Sequence, residues 1–318
     1  MATPKQIPAV ENLIHDYRRG GLSRREFFQK LAFVTGSILL AHEIMLAEGL
    51  ASYWEAYDWP SQEAQAQQPP PPTPKESIAA GEKRLPGTVT GEWVTFPSGE
   101  FQIGAYLAKP KAGAPHAAII VIHENRGLTE FVMDIAQRWA TEGFVGLAVD
   151  CLSRVGGTAK FESMQAAGGG IRELQRPGVM EDLHAALAYL QSRSDVRKNI
   201  IGVTGFCWGG GNTFAFATES KEIAFAMPFY GPPPPVERAE NIACPIRAVF
   251  AETDERVNAN VEAFAAKMKE LGKPFDYKFY PGTGHAFMNF TGTRYNEEQA
   301  RIAWADVTAL AKGLASKK

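Results

Sequence analysis

Cys207, Asp254 and His285 are the residues of this chain whose types and order could carry out nucleophilic chemistry. Cys207 stands in Gly205-Phe206-Cys207-Trp208-Gly209-Gly210, directly after the apolar run 199–204. That pattern predicts a buried strand turning sharply into a helix, with a thiol at the apex. Glycines at 205 and 209 permit the strained turn and let strand and helix approach closely. The N-terminus of the helix would favour a thiolate and offer a backbone N–H to an oxyanion. The plainer reading is a buried cysteine acting as a small hydrophobe. The flanking glycines and the strand-to-helix context favour the nucleophile.

A nucleophile on such a turn needs an acid and then a histidine later in the chain. The apolar run 245–250 reads as the next buried strand, and Asp254 follows it in a loop. Taken alone, Asp254 reads as a turn or helix N-cap aspartate. The alternating stretch 275–280 is a further strand, followed by Pro281-Gly282-Thr283-Gly284-His285. A histidine in so glycine-rich a loop is not an ordinary core residue. Nucleophile, acid and base thus fall on three successive strand-end loops in the required order. The chemistry this implies is acyl transfer to water: His285, oriented by Asp254, helps to form the thiolate, and a covalent acyl-enzyme is then hydrolysed.

With these residues in place, the chain from about residue 87 onward resembles the dienelactone hydrolase family of α/β-hydrolases. Besides the cysteine turn, Asp254 and His285, the run His123-Glu124-Asn125-Arg126-Gly127 matches the family's H-E-x-x-G signature. The resemblance implies that Glu124 holds the resting cysteine and helps to deprotonate it when substrate binds. A carboxylate beside a thiol raises the thiol's pKa, so activation requires the pair to rearrange. A loop carboxylate with no catalytic part is the alternative for Glu124. By the same carry-over, the backbone N–H groups of Trp208 and Asn125 form the oxyanion hole. The segment Val149-Asp150-Cys151-Leu152-Ser153-Arg154 resembles the family's D-L-Y-x-R and offers Arg154 to a substrate carboxylate, which a guanidinium fork can bind at both oxygens. The family's second arginine position is Asn289 here, a neutral group suited to an ester or hydroxyl. Tyr230 is expected at the pocket edge. The implied substrates are small carboxylic esters or lactones, with lactones and enol or aryl esters favoured over amides.

The elements that must position these groups are legible as an alternation. Residues 88–96 and 101–108 read as a hairpin, 131–142 as a helix and 144–149 as a strand. Helices follow at 179–192, 258–271 and 296–314. Strands alternating with helices imply an α/β fold with a mostly parallel central sheet and helices on both faces, the α/β-hydrolase fold by resemblance. The glycines at 156–157 and 168–170 bracket a connection that reads as a lid or a plain surface loop.

Three parts are expected: a signal segment and leader at 1–66, a proline-rich linker at 67–86 and the catalytic domain at 87–318. Ser23-Arg24-Arg25-Glu26-Phe27-Phe28-Gln29-Lys30 resembles a twin-arginine export signal, and the apolar run after it suits a signal's central region. Ala64-Gln65-Ala66 is a small-x-small cleavage pattern. The expectation is twin-arginine export to the periplasm; the alternative is a cytoplasmic or membrane-associated protein that keeps an amphipathic N-terminal helix. A net charge of −2 over 318 residues, with no basic stripe, argues against a nucleic-acid partner. The three cysteines show neither metal-ligand spacing nor a disulfide framework. No cofactor or metal is expected. The competing function is a non-catalytic or weakly active ligand-binding member of the same fold.

Overall fold

A computed structural model describes residues 8–19, 22, 26–27, 30–31, 34 and 72–316. The chain divides into two compact units, residues 1–69 and 70–318. In the first, helix α1 (Pro8–Arg18) buries Val10 and Ile14. The Tyr17 ring stacks on Phe27 with centroids 4.5 Å apart. Most of the twin-arginine-like segment, including both arginines, and the 64–66 cleavage pattern lie outside the described residues.

The second unit is built on an eight-stranded sheet. Its strands are β1 (Val89–Ser98), β2 (Phe101–Pro110), β3 (His116–Ile122), β4 (Val145–Val149), β5 (Val196–Phe206), β6 (Phe225–Phe229), β7 (Ile246–Ala251) and β8 (Phe275–Tyr280), ordered β1-β2-β4-β3-β5-β6-β7-β8. The β1–β2 and β2–β4 pairs are antiparallel and all later pairs are parallel. The hydrophobic pattern sets this arrangement. β4 and β6 are buried at every residue, and β3 at all but its first, because helices cover both faces. β1 sits at the edge and exposes half of its residues.

On one face, α5 (Arg176–Ser192), α6 (Trp208–Glu219) and α7 (Val261–Glu270) pack Leu183, Leu187, Phe214, Phe216, Phe264 and Met268 onto the sheet. On the other, α3 (Glu130–Thr141) and α8 (Glu297–Ala315) contribute Phe131, Ile135, Trp139, Ala303 and Val307. The architecture is the α/β sheet with two helical layers expected from the alternation of elements.

Three segments differ from their sequence-based expectations. Residues 74–83, within the stretch read as linker, form α2 (Pro74–Lys83), whose N-cap Thr73 makes a full capping box with Glu76. The glycines at 168–170 lie inside α4 (Met164–Glu173) rather than in an irregular loop. Close packing explains the last of them, since a Cβ on Gly170 would come within 2.5 Å of the Phe161 ring. The helix expected over 258–271 is interrupted, with one turn at Glu255–Asn258 and α7 from Val261.

Candidate active site

β5 ends at Phe206, Cys207 turns the chain and α6 begins at Trp208. Cys207 has φ 56° and ψ −113°, a strained backbone region for any residue with a Cβ. The turn closes only because its neighbours are bare. A Cβ on Gly205 would lie 2.3 Å from the Gly209 carbonyl oxygen, and one on Gly209 would lie 2.4 Å from that of His123. This packing lifts the thiol to the C-terminal edge of the sheet, at the start of a helix.

The loops after β7 and β8 bring the other two groups to the sulfur. His285 Nε2 lies 3.0 Å from Cys207 Sγ, and His285 Nδ1 lies 2.5 Å from Asp254 Oδ2. The Asp254 side chain is largely buried, and the Tyr230 ring meets the imidazole edge-on at 5.3 Å. The three residues picked out by chain order therefore form one continuous relay.

The Cys207 thiol is pushed up to about 11, first by burial and then by the nearby Glu124 carboxylate. The neighbouring Trp208 backbone N–H and Arg256 pull the other way. The resting cysteine is therefore a thiol at neutral pH, with His285 placed to take its proton.

Glu124 stands near enough to Cys207 to raise the pKa of its thiol, and its own hydrogen bonds go elsewhere. Tyr230 Oη donates to Glu124 Oε1 at 3.2 Å, and Asn289 Nδ2 donates to Glu124 Oε2 at 2.6 Å. Burial raises the pKa of Glu124, while these two hydrogen bonds lower it. In this arrangement the hydrogen-bond partner of the Cys207 thiol is His285, while both Glu124 oxygens are held by Tyr230 and Asn289. Asn289 is also paired within the protein. Its amide nitrogen donates to Glu124 and its oxygen accepts from the Thr291 N–H and hydroxyl, so both polar ends of the side chain are engaged. Tyr230 does border the cavity, and its φ of 36° marks a second strained residue at the site.

Arg154 is not brought to the cavity. Its Nε and Nη2 grip both carboxylate oxygens of the fully buried Asp182 at 2.8 Å, and Nη2 also meets Glu181. The guanidinium lies over the Phe101 ring. With its fork occupied, and absent from the cavity lining, Arg154 is a structural clamp between the loop after β4 and α5. Its hydrogen bonds to Asp182 raise its already high pKa.

In its place, two cations that sequence reasoning missed border the site. A cavity of about 470 Å³ is lined by Cys207, His285, Trp208, Asn125, Tyr230, Arg176 and Arg256, among others. Both arginines are exposed, and neither has a carboxylate partner among the described residues. No motif marks them, because Arg176 opens α5 and Arg256 sits in the one-turn helix after Asp254. Position two residues past the acid was the signal available for Arg256.

Residues 103–314 match the model of the dienelactone hydrolase family. The chain belongs to that family. Membership makes it a hydrolase of esters or lactones. A Saccharolobus solfataricus protein named as a carboxymethylenebutenolidase is 30% identical over 248 residues, 67% of this chain and 95% of the relative. A Bradyrhizobium protein named as a 2-oxo-3-(5-oxofuran-2-ylidene)propanoate lactonase is 29% identical over 233 residues, 68% of this chain and 92% of the relative. Among solved structures, a dienelactone hydrolase from Klebsiella pneumoniae superposes with a TM-score of 0.65 at 24% identity, covering 70% of this chain and 98% of that one. This likeness reflects the shared α/β-hydrolase fold.

Proposed function

We propose that this dienelactone hydrolase-family enzyme cleaves small esters or lactones by a Cys207–His285–Asp254 triad and a covalent thioester intermediate. The carrying observation is the unbroken run from Asp254 Oδ2 to His285 Nδ1 at 2.5 Å and from His285 Nε2 to Cys207 Sγ at 3.0 Å. As Sγ attacks the substrate carbonyl, its proton passes to Nε2, and the imidazolium is held by Asp254. The oxyanion is received by the N–H of Trp208, beside the sulfur, and that of Asn125, which has no acceptor among the described residues. Collapse breaks the C–O bond, and Nε2 returns the proton to the leaving alkoxide or enolate. Water then enters, gives a proton to His285 and attacks the thioester; the thiol recovers that proton and the acid leaves.

The relatives named above are a butenolidase and a lactonase of a propanoate, both names of acid-bearing lactones. Arg176 and Arg256 at the cavity support an anionic substituent on this enzyme's substrate as well. We further propose periplasmic export by the segment at 23–30, a reading supported by the sequence alone.

The test is hydrolysis of p-nitrophenyl acetate and of an enol lactone by wild type and Cys207→Ala. Wild-type turnover, loss of about a thousandfold or more in the variant, and an acyl adduct on the Cys207 peptide are expected. Equal rates for the two proteins would remove Cys207 as the nucleophile and favour a binding protein.

A further inference from the structure

His123 opens the H-E-x-x-G motif, yet the triad makes no use of it. Its ring is completely buried, an unusual position for a histidine with no catalytic contact. Both ring nitrogens are engaged. The Cys151 backbone N–H, at the end of β4, donates to Nε2 at 3.2 Å. Nε2 must therefore be the bare nitrogen, and Nδ1 must carry the proton. Nδ1 in turn lies 2.7 Å from the Glu124 carbonyl oxygen and donates to it. Burial lowers the pKa of the ring, in keeping with this neutral tautomer. The ring face also stacks on the Trp208 indole, with centroids 5.2 Å apart and planes 13° from parallel.

The Glu124 carbonyl and the Asn125 N–H belong to one peptide unit. In a planar trans peptide they point in opposite directions. A carbonyl drawn inward to a buried ring therefore directs the Asn125 N–H outward, toward the cavity that Asn125 lines. The same ring braces Trp208, the residue after the cysteine, whose backbone N–H favours the thiolate. One side chain thus touches the strand-end loops of β3, β4 and β5, neighbours in the sheet.

We infer that His123 is the positioning residue of the oxyanion hole, setting the direction of the Asn125 N–H through the Glu124 carbonyl and bracing Trp208 by stacking. The inference rests on the proposed hydrolase reading. It assigns His123 no contact with substrate.

Two readouts on the same proteins test it. The first is the burst of p-nitrophenolate from p-nitrophenyl acetate in stopped flow, which builds an oxyanion. The second is alkylation of Cys207 by iodoacetamide, a displacement that builds none. His123→Phe keeps a stacking ring but loses the donor, and His123→Asn places an amide N–H near the Nδ1 position. The Phe variant should acylate about 10- to 100-fold more slowly with little change in the half-saturating ester concentration, part of what outright loss of an oxyanion donor costs. Its alkylation should stay within about twofold of wild type, because that step needs no such donor. The Asn variant should recover most of the acylation rate.

Wild-type acylation in the Phe variant would overturn the inference. So would a parallel fall in acylation and alkylation, which would mark a general loss of structure, or an Asn variant no faster than Phe. A wild type that is alkylated but gives no burst would instead overturn the hydrolase reading, and the role of His123 with it.

Discussion

The reactivity of Cys207 is set by two opposed surroundings. Burial and the Glu124 carboxylate hold its pKa near 11, while the Trp208 N–H and Arg256 favour the thiolate. Glu124 is tied at both oxygens by Tyr230 and Asn289, and we propose that it acts as a fixed charge and not as the base. The sign of one experiment separates those roles. Replacing Glu124 by Gln removes a repelling charge, lowers the thiol pKa and should speed iodoacetamide alkylation at pH 8 several-fold, shifting the rate profile to lower pH. A base removed from the thiol would slow the same reaction. A second contrast concerns the arginines. Arg154→Ala strands the buried carboxylate of Asp182, and breaking such a pair costs about 3 kcal/mol of stability. It should leave the preference between acidic and neutral esters unchanged. The Arg176→Ala/Arg256→Ala pair should do the reverse, raising KM for acid-bearing esters about tenfold or more through the loss of two charge-assisted contacts, with little change in Tm. An altered preference in the Arg154 variant alone would return that residue to the substrate.

At the scale of elements, the site depends on helices that meet the sheet at close range. The N-terminus of α3 illustrates how one element completes another. Thr129, its N-cap, makes no side-chain capping bond. The Glu130 N–H instead donates to Ser77 Oγ of α2 at 2.9 Å, and Gln137 Nε2 donates to the Gly81 carbonyl at 2.9 Å. A Cβ on Gly81 would lie 2.9 Å from Met133 Sδ, so the two helices are in close contact. A helix in the stretch read as linker therefore supplies the cap of a core helix. Ser77→Ala leaves a part-buried N–H without its acceptor and should cost about 1 kcal/mol, a fall in Tm of about 2–4 °C for a unit of this size. Differential scanning calorimetry checks this, and an unchanged Tm would mean that α2 is not needed to cap α3.

For the whole molecule, the division at residues 69 and 70 separates the N-terminal unit from the unit that carries the sheet and the entire triad. Among the described residues, no helix is long and apolar enough to cross a membrane. The cleavage pattern at Ala64-Gln65-Ala66 precedes the boundary and leaves the α2 capping box intact. Export with cleavage would therefore release a chain beginning at Gln67 that retains hydrolase activity. Mass spectrometry of the protein purified from its source cells should find that N-terminus if the proposed export holds, and an intact Met1 would count against cleavage.

Chain order alone picked out Cys207, Asp254 and His285, because a parallel α/β sheet puts successive strand ends on one edge and the flanking glycines reveal the strained turn. The strand and helix alternation was equally legible, since buried strands are continuously apolar and amphipathic helices have their own period. Hydrogen-bond ownership was not legible. Arg154 and Asn289 occupy positions where substrate contacts were expected, but their partners, Asp182 and Glu124, come from other elements. Arg176 and Arg256 reach the cavity with no local pattern to announce them. Helix α2 reads as a linker because its short apolar face makes sense only against α3. Local pattern determines which elements form and which edge carries the chemistry. Only tertiary packing decides which polar groups are already paired and which remain for a substrate, because each such pair joins residues far apart in the chain.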